Sequence, residues 1–225
     1  MGNHLSVITV FDNYLADPRL EKGWGFSCFI RYEFEDKVTK ILFDTGDDKE
    51  VLLSNMKKMS LDPRELDFVF ISHLHHDHTG GLPGILERNQ GIKVYKPGSF
   101  ESFSQLKPGI FTTGPLGTMI QEQSLILQLP QGLIVITGCA HPGIVDIVRK
   151  SKEVVEGFPS YLVMGGFHLK SASDTEIEKI ISEFRNLGVQ KVAPSHCSGE
   201  RCIERFEKAY GSNFIKNGAG KEITI

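Results

Sequence analysis

Four histidines and one carboxylate fall within six positions of this sequence, in the run from His73 to His78. The run follows the apolar residues 68–71 and is closed by Gly80-Gly81, so we expect it at the end of a buried strand. Imidazole and carboxylate groups together bind zinc, manganese or iron. Surface histidine tracts that bind metal loosely lie in polar, low-complexity surroundings, whereas an apolar strand precedes this run. The run therefore predicts a metal site.

Three further histidines, each shortly after an apolar segment that we predict to be a strand, are His141, His168 and His196. In α/β sheets, ligands collect at the carboxyl ends of the strands. Because four successive strand ends each carry a histidine, we expect these side chains to meet at one rim of the fold.

The spacing divides the predicted ligands into two sets. His73 and His75 lie two residues apart in an extended segment, so their side chains point to the same side. The sets are His73, His75 and His141 for one ion, and Asp77, His78 and His196 for a second ion. Two such ions activate a water and stabilise the charge that develops in a phosphoryl or acyl transition state.

The elements that must position these residues are short strands at first, and alternating helices and strands later. Residues 95–119 are rich in Gly, Pro, Ser and Thr and are predicted to be a loop over the site, apart from a strand at 109–113. The other predicted strands are residues 5–11, 26–34, 38–43, 68–71, 124–129, 133–137, 161–164, 189–193 and a short terminal one, and the predicted helices are residues 48–59, 81–88, 144–155, 174–187 and 200–210. This order predicts a layered α/β fold in a single domain, residues 1–225.

Composition argues against several classes of protein. With 40% hydrophobic and 24% charged residues and a net charge of -3, the chain lacks the basic field of a nucleic-acid binder. No stretch approaches the roughly 18 apolar residues of a membrane span. Met1-Gly2 with Ser6 matches a myristoylation pattern only formally, because residues 5–11 are predicted as a strand. The four cysteines form no CxxC pair, which favours the reducing cytoplasm.

The run His73-Leu74-His75-His76-Asp77-His78 resembles the HxHxDH motif of the metallo-β-lactamase superfamily. Residues 41–46, which contain Asp44, resemble that superfamily's strand ending in Asp-Thr-Gly. The resemblance spans nearly the whole chain and implies a four-layer αββα sandwich with the metal site at one edge of two mixed sheets. It also implies one or two divalent ions, zinc before manganese or iron, and a role for Asp44 in supporting the metal ligands from behind.

Four other segments resemble one branch of this superfamily. The branch takes its name from 7,8-dihydropterin-6-methyl-4-(beta-D-ribofuranosyl)aminobenzene 5'-phosphate synthase and includes proteins known only as metal-dependent hydrolases. The segments are residues 122–125, 138–144, 165–169 and 196–199.

We therefore predict a metal-dependent hydrolase that acts on a small phosphate-containing or ester substrate through a metal-activated water, with Asp77 and His168 as catalytic residues. One alternative, implied by the branch, is a transferase that moves a pterin-methyl unit and releases diphosphate. Another is a non-catalytic ligand-binding or redox member of the fold. Neither nucleic acid nor a membrane is expected as a partner, and the oligomeric state is left open.

One departure from the superfamily concerns the carboxylate that bridges its two metals, at about residues 165–168. That segment contains no Asp or Glu, and the start of a helix explains Asp174 and Glu176 better. We expect the second metal to bind more weakly, or His168 to replace the carboxylate in part. We favour a role for His168 in substrate binding or proton transfer, which the near-neutral pKa of an ordinary histidine allows.

Other residues beside these motifs have weaker signals. Cys139 and Cys197 are predicted to pack as small buried residues, with thiolate ligation of zinc as the alternative. Trp24 is a candidate wall for a flat ring such as a pterin, with core packing as the alternative. Gly143 and Ser198, next to helix starts, are candidate phosphate contacts, although ordinary capping explains them equally well.

Overall fold

The computed structural model describes residues 3–225. Met1 and Gly2, on which the myristoylation match rests, lie outside the described residues. The strands are β1 (His4–Phe11), β2 (Ser27–Phe34), β3 (Lys37–Phe43), β4 (Phe68–Phe70), β5 (Lys93–Tyr95), β6 (Ser104–Lys107), β7 (Ile110–Thr112), β8 (Leu125–Leu129), β9 (Gly132–Thr137), β10 (Ser160–Gly166), β11 (Lys191–Ser195) and β12 (Glu222–Thr224). The α-helices are α1 (Lys49–Lys58), α2 (His76–Thr79), α3 (Leu82–Arg88), α4 (Ile144–Val154), α5 (Asp174–Asn186) and α6 (Glu200–Tyr210).

The chain divides into two compact units, each built on one six-stranded mixed sheet. Unit 1 runs to Ser99 and includes Asn217–Ile225, and unit 2 is Phe100–Lys216. The single domain predicted for residues 1–225 stays a prediction. None of the helices within residues 3–225 is long and apolar enough to cross a membrane.

Unit 1 has the strand order β12-β1-β2-β3-β4-β5, antiparallel up to β3 and parallel from β3 to β5. Helix α1 connects the parallel strands β3 and β4, and the side chain of Asp48 caps it by accepting hydrogen bonds from two backbone N–H groups. Its apolar face packs Leu52 and Met56 into a core with Leu42 and Val69. Because β3 and β4 are parallel, the residues that follow them lie at the same edge of the sheet.

Unit 2 has the strand order β11-β10-β9-β8-β7-β6. Strands β9, β10 and β11 are parallel, and β8 and β9 form an antiparallel hairpin. A helix follows each of the three parallel strands, and Phe167, Phe184 and Phe206 pack against one another with ring centroids 5.5–5.7 Å apart. The carboxyl ends of β9, β10 and β11 therefore lie at one edge, which is where His141, His168 and His196 follow in sequence.

Two short strands were not expected. Residues 95–119 contain β6 as well as β7, so the prediction of a loop with a single strand is wrong, and β5 was also missed. Both are at sheet edges, where a strand buries little and the sequence shows little apolar alternation. Strand β11 extends through Pro194 to Ser195, beyond the predicted residue 193, because an edge strand tolerates a proline that lacks the N–H group.

Candidate metal centre

His73 and His75 follow β4 as a close pair of imidazoles. His73 Nε2 lies 3.2 Å from His75 Nδ1, as expected for side chains on one side of an extended segment. His73 is buried and His75 is exposed. Ser72 Oγ lies 2.9 Å from His73 Nδ1, which leaves Nε2 to face His75. Two imidazole nitrogens this close share either a proton or a cation.

Asp77 and His78 are brought together by α2, a single helical turn. His78 is buried, and its Nε2 atom lies 3.7 Å from Asp77 Oδ2. The rings of His73 and His78 have centroids 4.2 Å apart. The structure thus groups the four unit 1 residues that were predicted as ligands.

Close backbone packing against the segment after β3 fixes this helical turn. The carbonyl oxygen of His78 accepts hydrogen bonds from both N–H and Oγ1 of Thr45, each at 2.9 Å. A Cβ atom at Gly80 would lie 2.2 Å from the Asp47 carbonyl oxygen, and one at Gly81 would lie 2.2 Å from that of Thr45. The Gly80-Gly81 pair is therefore required by the approach of two backbones.

Asp44 lies directly behind these histidines. Its Oδ1 atom accepts a hydrogen bond from Ser72 N–H at 2.7 Å, and Oδ2 accepts one from Ser72 Oγ and lies 2.6 Å from His78 Nδ1. A carboxylate at this distance accepts a hydrogen bond from Nδ1–H of His78. The other ring nitrogen, Nε2, is then the atom that can coordinate a metal. Asp44 is fully buried, with a φ of 52°, a conformation that costs free energy in a residue other than glycine.

Glu122 organises the corresponding loop of unit 2. Glu122 is 1% exposed, and its carboxylate accepts five hydrogen bonds from the last residue of β9 and the loop that follows it. The donors are Thr137 Oγ1 and the backbone N–H groups of Gly138, Cys139, Ala140 and His141, at 2.9–3.1 Å. Glu122 belongs to one of the segments that resemble the family, but this role was not predicted from the sequence.

The loop after β9 brings Cys139 and His141 next to the histidines that follow β10 and β11. Cys139 Sγ lies 3.3 Å from His196 Nε2, and the rings of His141 and His168 have centroids 4.5 Å apart. The possible ligand atoms of Cys139, His141 and His168 all lie within 4.8 Å of one another. The backbone is strained in this group of residues, because Ala140, His168 and His196 have φ values of 63°, 56° and 50°.

Cys197 adjoins the same group and is 7% exposed. Its Sγ atom donates a weak hydrogen bond to the carbonyl oxygen of Cys139 at 3.5 Å. A hydrogen bond from the Cys139 thiol, and after it one with His168, lowers the pKa of Cys197 well below the ordinary thiol value. The same contact with Cys197 raises the pKa of His168. The two cysteines are buried as predicted, but their contacts are polar.

A sequence profile of the Metallo-beta-lactamase superfamily matches residues 31–155, more than half of the chain. The chain belongs to this superfamily. Among its relatives is the 7,8-dihydropterin-6-methyl-4-(beta-D-ribofuranosyl)-aminobenzene-5'-phosphate synthase of Methanocaldococcus jannaschii, which is 31% identical over 98% of this chain and 97% of that protein. A ribonuclease Z from Anoxybacillus flavithermus is 28% identical over 75% of this chain and 50% of its own length.

A solved structure confirms the predicted αββα metallo-β-lactamase fold class. The crystal structure of a metal-dependent hydrolase of the beta-lactamase superfamily matches with a TM-score of 0.82 and 28% identity, over 98% of this chain and 99% of that chain. Membership in the metallo-β-lactamase superfamily also implies that the chain binds a divalent metal.

The donor groups fit such a metal. Two imidazole nitrogens that share a tetrahedral zinc ion lie about 3.3 Å apart, and His73 Nε2 and His75 Nδ1 are 3.2 Å apart. In each unit a buried carboxylate, Asp44 or Glu122, fixes the segment that carries the donors. This support by hydrogen-bonded carboxylates is typical of metal ligands in proteins.

The three predicted substrate contacts differ in their exposure and hydrogen bonds. Trp24 is 47% exposed, so the alternative of core packing is wrong and its role as a ring-binding wall stays a prediction. Gly143 N–H already donates to the Ala140 carbonyl oxygen at 2.9 Å. Ser198 is fully buried, and its Oγ accepts the N–H of Phe167 at 3.0 Å. Gly143 is exposed and lines a cavity of unit 2. The roles of Gly143 and Ser198 as phosphate contacts stay predictions.

A cavity of about 460 Å³ within unit 2 opens beside two of the histidines. His141 and His168 line it, α4 contributes Arg149, and α5 contributes Glu176, Lys179 and Glu183. Arg149 is bound to Glu183 at 2.7 Å. This member of the metallo-β-lactamase superfamily thus has a small-molecule-sized cavity next to candidate metal ligands.

Proposed function

We propose that the chain is a metal-dependent hydrolase of a small phosphate-containing or ester substrate. The proposed ligands are His73, His75 and His141 for one ion, and Asp77, His78 and His196 for a second. The observation that carries the proposal is the buried carboxylate that fixes the donor segment in each unit. A bound divalent ion, zinc before manganese or iron, would activate water and neutralise charge in the transition state.

Residues of the chain prepare this chemistry. Asp44 keeps the proton of His78 on Nδ1, and Glu122 holds the loop that carries His141. His168 is exposed at the border of the unit 2 cavity. Because its contact with Cys197 raises its pKa, His168 keeps a proton to a higher pH than an ordinary histidine and is suited to protonate a leaving group.

A phosphate-bearing substrate is supported by one cation of the cavity, Lys179, which lines it together with His141 and His168. The other cation, Arg149, is bound to Glu183. A lysine ammonium is a common partner of phosphate in proteins. We propose a small molecule as the substrate, without nucleic acid or a membrane as partner. Because all four cysteines are thiols, we propose the cytoplasm as the compartment.

A second candidate function is transfer of a pterin-methyl unit with release of diphosphate. The full-length similarity to the archaeal synthase favours this reaction over other transferase chemistry. The two candidates share the metal ligands and differ in the group that attacks, which is water in one and an aromatic substrate in the other.

Elemental analysis combined with a substrate panel tests both functions. We expect stoichiometric transition metal, and turnover of a phosphodiester, a lactone or a pterin diphosphate. The variant His168→Gln should lose most of the turnover while keeping the metal, and His4→Gln, on an exposed strand position, is the matched control. A protein without metal that gains no activity when metal is added would refute both functions. Tight binding without any product would instead support the non-catalytic alternative.

A further inference from the structure

Unit 1 contains a cavity of about 610 Å³, and none of the residues that line it is a predicted metal ligand. Helix α1, the turn at residues 60–64 and the end of α3 form its walls. Helix α1 begins on the side of Asp44, after β3, and runs back to the start of β4. Because β3 and β4 are parallel, the end of α1 lies at the sheet edge opposite to Asp44 and the histidines after β4.

The lining of this cavity is positive, although the chain has a net charge of -3. Its cations are Lys57, Arg64 and Arg88, and its carboxylate is Asp62. Arg64 and Asp62 neutralise each other, with Nη2 and Oδ2 2.7 Å apart. Lys57 and Arg88 are left as an excess of two positive charges.

Both of these side chains keep N–H donors for a ligand. Lys57 has no side-chain hydrogen bond or ion pair with any residue from 3 to 225. Arg88 donates from Nη1 to the Gly84 carbonyl oxygen at 3.1 Å. Glu87 Oε2 lies 3.8 Å from the same Nη1 atom, which is beyond hydrogen-bonding distance. The other guanidinium N–H groups of Arg88 have no acceptor within the described range.

Helix dipoles do not account for this pair of cations. Lys57 and Arg88 each lie in the last turn of a helix, where a positive charge is favourable. At the end of α1, however, the carbonyl oxygens of residues 55–57 already accept hydrogen bonds from the N–H groups of residues 59–61. The dipoles also act on each helix separately, and they do not explain why the two cations meet at one cavity.

Close packing fixes the walls of the cavity. A Cβ atom at Gly84 would lie 2.7 Å from Leu53 Cδ1, so α1 and α3 are in close contact. Asn89 Nδ2 donates to the carbonyl oxygen of Pro63 at 3.0 Å and joins the end of α3 to the turn. Leu53, Leu61 and Pro63 add apolar surface to the lining. The volume is within the range of about 300–1,000 Å³ that is usual for small-molecule sites.

We propose that this cavity binds a small organic phosphate, a phosphate monoester with an apolar body. Such a group carries a charge of about −1.5 to −2 at pH 7, which matches the excess charge of the lining. Lys57 and Arg88 bind the phosphate oxygens, and Leu53 and Leu61 contact the apolar body. The site is separate from the candidate metal centre, so this inference does not rest on the proposed function.

Methyl NMR of the purified protein tests the proposal, with phenylphosphonate as a probe that cannot be hydrolysed. The methyl signals of Leu53 and Leu61 should shift until the site is saturated. Inorganic phosphate, which lacks the apolar body, should bind more weakly. Lys57→Gln and Arg88→Gln should each weaken binding roughly 10-fold, the loss of one hydrogen bond to a charged group. Lys58→Gln is the matched control and should leave the affinity unchanged, because that ammonium is in an ion pair and does not line the cavity.

Four results would count against the proposal. One is that the Leu53 and Leu61 signals do not move with phenylphosphonate up to about 10 mM, although signals near the candidate metal centre do. Another is an equal loss of affinity in Lys57→Gln and Lys58→Gln, which would indicate a general effect of charge. If inorganic phosphate binds as tightly as phenylphosphonate, the apolar body of the ligand is refuted. Shifts with phosphatidic acid vesicles alone would assign the cavity to a lipid head group instead of a small molecule.

Discussion

Replacing Glu122 by glutamine changes one oxygen of a buried carboxylate into an amide. In the structure Oε1 accepts four hydrogen bonds, one from Thr137 at the end of β9 and three from the loop after it, and Oε2 accepts the N–H of His141 at 2.9 Å. If the amide oxygen keeps the four contacts of Oε1, the NH₂ group faces the N–H of His141. The variant therefore loses one hydrogen bond and places two donors against each other.

The expected cost follows from these contacts. A buried group that loses its partner costs about 1–3 kcal/mol, so Glu122→Gln should lower the free energy of unfolding by about 2 kcal/mol. Glu122→Ala leaves four buried backbone N–H groups without this acceptor and should cost about 4 kcal/mol even at the low end of that scale. Against a typical total of about 5–15 kcal/mol, the alanine variant approaches the limit of folding and the glutamine variant does not.

Urea unfolding and calorimetric zinc titration would measure the two effects. A glutamate with a purely structural role would lower stability alone. Because Glu122 positions the loop that carries His141, we expect Glu122→Gln also to weaken zinc binding by about 10- to 100-fold, as loss of a group behind a ligand does. Glu101→Gln, an exposed glutamate of the same unit, is the control and should change neither quantity. If Glu122→Gln has the stability and zinc affinity of the wild-type protein, the inference that Glu122 positions the loop carrying His141 is refuted.

Three further substitutions and one alkylation reaction have expected outcomes. Asp44→Asn should weaken zinc binding by about 10- to 100-fold in titration calorimetry, because the amide no longer fixes the histidine tautomer. Gly166→Ala places a Cβ 2.3 Å from a backbone oxygen and should cost about 3 kcal/mol in urea unfolding. Gly157→Ala, at a φ of 84° with open space around it, should cost only about 1 kcal/mol. In the metal-free protein at neutral pH, mass spectrometry should find Cys197 alkylated before Cys202. Burial raises the pKa of Cys202 to about 12 and leaves little thiolate there, whereas the pKa of Cys197 is lowered. Equal rates of alkylation would contradict this order.

Local signals in the sequence were enough to predict most of the helices and strands. The helix predicted at residues 200–210 is Glu200–Tyr210, and Ser173 caps the helix predicted at residues 174–187 by accepting the N–H of Glu176. Such elements are set by periodicity and capping within a few residues, which a single sequence displays. Strands β5 and β6 were missed because their formation depends on pairing with strands elsewhere in the sheet.

The grouping of the unit 2 histidines could be predicted from the sequence. His141, His168 and His196 were expected at one edge because each follows a strand, and the parallel order of β9, β10 and β11 explains why the three lie together. The environment of Cys139 could not be predicted in the same way. It depends on the left-handed conformation of Ala140, which alanine rarely adopts and which only the surrounding contacts enforce.

The position of Glu122, in contrast, can be predicted from the register of the β8–β9 hairpin. Leu125 pairs with Ile136 across β8 and β9, so continuing the same antiparallel register for three residues brings Glu122 opposite Cys139. A carboxylate that is buried at that point needs several donors, and a loop that turns sharply after a strand has backbone N–H groups that need an acceptor. The two requirements satisfy each other. The shape of the loop after β9 is therefore set by a residue outside that loop. Substitutions confined to the histidine motifs would not transfer this arrangement to another chain.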